Sequence, residues 1–128
     1  VKYIIPLVAL ALFAGSCQKD NSLNGDANKI TITGVQPLQN TTCHFGDTVN
    51  LAASIATGSE LHSVTFLVKR PSGDTLYSTY KHAHTLSLSL NYQWVDTVTQ
   101  TTDLQVEISV ILGNGHTDSL LIPIHCMP

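Results

Sequence analysis

From Lys29 onward, apolar and polar residues alternate with a period of two. No stretch sustains the i, i+3, i+4, i+7 spacing of an amphipathic helix. Val49, Leu51, Ala53 and Ile55 fall on one face of a strand. His62, Val64, Phe66 and Val68 share a face of the next, with Leu67 pointing the other way. Leu86, Leu88 and Leu90 alternate with Ser87, Ser89 and Asn91, the pattern of a half-buried strand. Leu104, Val106, Ile108, Val110 and Leu112 repeat it, and Leu120, Ile122 and Ile124 close it. Segments Ile30 to Val35 and Thr75 to Lys81 bring the total to about seven strands. Turn clusters separate them at Thr57-Gly58-Ser59-Glu60, Pro71-Ser72-Gly73-Asp74 and Gly113-Asn114-Gly115. The 15 threonines suit a pleated surface better than a helix. The pattern predicts an all-β, immunoglobulin-like β-sandwich of about seven antiparallel strands over residues 29–128. Tyr92 is expected to continue the leucine face. Trp94 is expected in the long connection before the sixth strand, capping the core edge, with stacking on a sugar ring as the alternative use of the pair.

Composition narrows this picture. The chain has 128 residues, enough for one domain. Only 12% are charged, too few for a disordered chain or a coiled coil. The net charge is −3 with a sequence pI near 6.0, so no basic field is available to hold nucleic acid.

The N-terminus has a different grammar. Lys2 precedes an apolar run from Tyr3 to Ala14, shorter than the roughly 20 residues a membrane span requires. The run ends in Ala14-Gly15-Ser16-Cys17, which resembles the bacterial lipobox. The resemblance implies a signal peptide over residues 1–16 and lipidation of Cys17, hence attachment to a membrane through acyl chains. Gln18 after the cysteine implies outer-membrane delivery. Lys19-Asp20 resembles the charged tether of Bacteroidota surface lipoproteins. The expected location is therefore the outer membrane, on its periplasmic face or at the cell surface. Between Gln18 and Asn28 the one apolar side chain larger than alanine is Leu23, so residues 17–28 are expected to form a flexible tether.

With Cys17 committed to lipid, Cys43 and Cys126 remain. An envelope compartment is oxidising. Alternating the strands up and down brings the loop that holds Cys43 to the same pole as the end of the last strand. A Cys43–Cys126 disulfide is expected there. It would close a loop of over 80 residues, for which loop-closure entropy gives roughly 4–5 kcal/mol. Cys43-His44 and His125-Cys126 also offer two thiols and two imidazoles to a structural zinc. Adjacent residues on an extended chain point to opposite faces, however, which disfavours that set.

The same trace gathers His62, His82, His84 and His116 at the opposite pole. A His-x-His pair on an extended segment places both rings on one face. His82 and His84, with His116 from the neighbouring hairpin, are thus candidate ligands for zinc, copper or nickel. The competing reading is of polar turn residues at a solvated end. Among acidic residues, Glu60 is the candidate base that a metal hydrolase would need. No Ser-His-Asp spacing, phosphate-cradling glycine loop or carboxylate pair stands out, so a non-enzymatic protein is expected. Asn40-Thr41-Thr42 matches a glycosylation sequon but reads as a loop preceding Cys43.

Lys81-His82-Ala83-His84 before the leucine-alternating strand, with the later Gly113-Asn114 turn, resembles a group of Bacteroidota surface lipoproteins. These carry a single Ig-like domain and no assigned activity. The likeness spans about Phe45 to Ile124. Ile111 and Leu112 stand where such relatives have an aspartate before the turn, so no calcium-type loop is implied. The resulting expectation is a membrane-anchored, non-catalytic domain that contacts an unidentified protein or glycan. The alternative is an envelope metal-binding protein using the histidine pole.

Overall fold

A computed structural model describes residues 27–128. The expected signal peptide, Cys17 and nearly all of the expected tether lie outside the described residues. The elements are β1 (Ile30–Gln36), β2 (Thr41–His44), β3 (Thr48–Thr57), β4 (Leu61–Lys69), β5 (Thr75–His82), β6 (Ser87–Val95), β7 (Thr102–Leu112) and β8 (Thr117–Met127). They form a three-stranded sheet, β1-β3-β6, facing a five-stranded sheet, β2-β8-β7-β4-β5. The all-β sandwich is as the alternation predicts.

The core lies where period-two burial from both sheets meets. Central strand β7 buries Leu104, Val106, Ile108, Val110 and Leu112, each at most 1% exposed. Its neighbour β4 contributes Val64, Phe66 and Val68, and β3 contributes Val49, Leu51, Ala53 and Ile55. Burying each valine, leucine, isoleucine or phenylalanine among them stabilises the fold by roughly 1.5–3 kcal/mol. Phe66 and Tyr92 meet edge-to-face across the two sheets at 5.6 Å, locking one layer to the other.

Five sequence expectations are corrected. Among the described residues there are eight strands, because Thr41–His44 pairs with β8 as the short strand β2 instead of forming a loop. Four residues with one buried side chain are too few to display a period. This pair is also parallel, so the sandwich is not purely antiparallel. Trp94 belongs to β6 and is buried, continuing the face of Leu88, Leu90 and Tyr92. Leu86 precedes β6 and is exposed, so the leucine face starts at Leu88.

The fifth correction concerns His62. Opposite β7, Leu61 pairs with Leu112 and Ser63 with Ile111, so His62 is an extra residue on β4. Such a β-bulge shifts the alternation and re-aims a side chain. Leu61 and Ser63 point inward together, Val64 restarts the inward series, and His62 points to solvent.

Candidate functional site

At one pole the sheet is closed covalently. Cys43 and Cys126 sit directly opposite each other in the β2–β8 register and form a disulfide, with Cα atoms 4.6 Å apart. The bond joins neighbouring strands of one sheet and ties the first part of the domain to its last strand. The β6–β7 connection covers it. The Asp96 N–H donates to the Asp47 carbonyl, and the Gly46 N–H donates to the Asp96 carbonyl, both at 2.8 Å. The buried Asp96 carboxylate accepts the Val98 N–H through Oδ1 at 2.8 Å, while Oδ2 has no partner. Cys43, Asp96 and Cys126 converge closely enough to hold an ion, but both sulfurs are spent in the disulfide. That bond also takes away the thiols of the alternative zinc set.

Two histidines share this pole, each beside a carboxylate. His44 lies 3.6 Å from Asp47. His125 Nδ1 lies 2.6 Å from Asp103 Oδ1, across the β7–β8 pairing. The His125–Asp103 pair borders a groove of about 470 Å³ lined also by Asn40, Pro71 and Pro123. No serine, threonine or cysteine is among the groove's lining residues, so the pair has no hydroxyl or thiol there to activate. Sequence reasoning missed this dyad. Only the cross-strand register, with Asp103 opposite His125, would have revealed it.

At the opposite pole the geometry brings together His62, His82 and His84. The Nε2 atoms of His82 and His84 are 2.9 Å apart. The His62 ring packs edge-on to His82, with centroids 4.8 Å apart, and lies 6.4 Å from His84. The backbone holds the three in place. Ser63 pairs with His82, the Ala83 N–H donates to the His62 carbonyl at 3.2 Å, and the Leu61 N–H donates to the Thr85 carbonyl at 2.9 Å. All three rings are exposed, and among the described residues none is ion-paired to a carboxylate.

His116 is placed differently. It sits in the β7–β8 hairpin, where its N–H donates to Asn114 Oδ1 and its carbonyl accepts from the Leu112 N–H. Among the described residues its ring meets none of the three others. The ring that joins the His82–His84 pair is His62. Glu60 reaches the same pole through its carbonyl, which accepts the Gly113 N–H at 2.8 Å.

No family model matches the chain, and no curated protein matches it. Among solved structures the fold is similar to the fibronectin(III)-like modules of CbhA from Clostridium thermocellum. The TM-score is 0.50 at 13% identity, over 77% of this chain and 96% of that one. At this identity the likeness speaks to the fold, a fibronectin III-like β-sandwich.

Proposed function

We propose that the protein is an extracytoplasmic lipoprotein whose sandwich domain acts by contact with a protein or glycan and not by catalysis. The observation that carries this reading is the Cys43–Cys126 disulfide, since such bonds persist in oxidising compartments. The order Lys2, apolar run, Ala14-Gly15-Ser16, Cys17 supports anchoring through lipid at Cys17. The fibronectin III-like architecture supports a module that presents surface. Leu38 and Leu121, both large and exposed, border a common groove beside Pro37 and offer apolar contact area.

Labelled palmitate tests the anchor. It is expected to enter the wild-type chain and to be absent from a Cys17→Ala variant; a wild-type chain that takes up no label contradicts the anchor. Protease treatment of intact cells then separates a cell-surface domain, which is cleaved, from a periplasmic one, which is spared. Hydrolysis of an ester or glycoside that disappears on His125→Ala would contradict the contact role.

A further inference from the structure

Beyond a contact role, we propose that His62, His82 and His84 form a binding site for one late first-row divalent cation, Cu²⁺ foremost, with Ni²⁺ and Zn²⁺ weaker. Two imidazole nitrogens bound to one ion at about 2.0–2.1 Å stand roughly 2.8–3.4 Å apart for angles between square and tetrahedral. The His82 and His84 Nε2 atoms are 2.9 Å apart in a hydrogen bond, a separation that also suits two adjacent ligands once an ion replaces the shared proton. The third ring comes from His62, which the β4 bulge turns out of the core and toward that pair. In the resting arrangement His62 presents an edge to His82 and not a nitrogen to a shared point. Its ring is exposed, and binding would require it to rotate about its side-chain bonds to complete the set.

Three features separate this cluster from a chance crowding of surface histidines. Its backbone is cross-linked by strand pairing and two further hydrogen bonds, so the positions that carry the three rings are held before the ion arrives. Its nitrogens are not engaged by a carboxylate, unlike those of His44 and His125. The Tyr80 hydroxyl lies 3.5 Å from His82 Nδ1. When His82 binds through Nε2, its Nδ1 proton can donate to the Tyr80 oxygen, which fixes the tautomer a metal requires. An all-imidazole donor set selects copper, nickel and zinc over calcium and magnesium, and the general order of affinities puts Cu²⁺ first.

The test is calorimetric titration of the untagged full chain in detergent micelles with Cu²⁺, Ni²⁺ and Zn²⁺, with copper electron paramagnetic resonance as a second readout. One equivalent of Cu²⁺ is expected, with hyperfine structure from three nitrogens. Removing a ligand costs at least what removing an outer hydrogen-bond partner does, so His62→Ala, His82→Ala and His84→Ala should each weaken Cu²⁺ binding roughly 10- to 100-fold or more. His116→Ala should leave it unchanged. All four side chains are exposed, so circular dichroism should show the fold intact in every variant. The proposal is overturned if the wild-type chain takes up no stoichiometric ion, or if His62→Ala is as harmless as His116→Ala.

Discussion

The two ends of the sandwich carry the same residue type in different settings. At the cysteine pole His44 and His125 each stand beside an aspartate, and a disulfide next to the buried Asp96 closes the structure. At the other pole His62, His82 and His84 face solvent with one another as ring neighbours. At the first end each histidine has a carboxylate partner, and the disulfide ties the strands together. At the second, the rings hydrogen-bond and pack against one another in the open. A histidine is therefore read by what already occupies its nitrogens, and the count of six means little until those partners are known.

The two poles differ most in stability at the disulfide. Replacing Cys43 and Cys126 together by alanine should cost about 2–5 kcal/mol, because the bond closes the chain over a separation of 83 residues. Urea denaturation of both forms measures it. A loss well under 1 kcal/mol would mean the cysteine pole is held by packing and hydrogen bonds alone.

Asp96 sharpens the same point with a smaller effect. Asp96→Ala leaves the buried Val98 N–H without its acceptor, a cost of about 1–3 kcal/mol that is partly offset by removing the partnerless Oδ2. A net loss near 1–2 kcal/mol is expected, with Asp96→Asn retaining more stability because its side-chain oxygen can still accept. Equal losses in the two variants would show that the Val98 contact is not the origin.

The smallest effect belongs to the open pole. His84→Ala, in the absence of metal, should change stability by no more than about 0.5 kcal/mol, as for exposed sites free of buried partners. A larger loss would move His84 from a waiting ligand to a structural element.

Much of the scaffold was legible in the sequence. Leu104 to Leu112 alternate so regularly that β7 and its inward face follow directly. Cys43 and Cys126 could be paired from an up-and-down trace before any register was known. Local pattern failed where geometry depends on a neighbour. The bulge at His62 exists only relative to β7, so alternation placed His62 wrongly on the inward face with Val64. The strand Thr41–His44 is defined by its partner β8, not by its own four residues. The choice of His116 over His62 as the third ring followed from the same blindness, since a hairpin near a pole in outline need not bring its ring to the cluster. His125 and Asp103 are 22 residues apart in sequence and meet only through the β7–β8 register.

Peptide mapping of the chain recovered from cells, alkylated before any reduction, reads all three cysteines at once. The account predicts one cross-linked peptide joining Cys43 to Cys126, no alkylated thiol at either, and a lipid-bearing N-terminal peptide beginning at Cys17. Free, alkylated Cys43 and Cys126 together with an unlipidated Cys17 would contradict it.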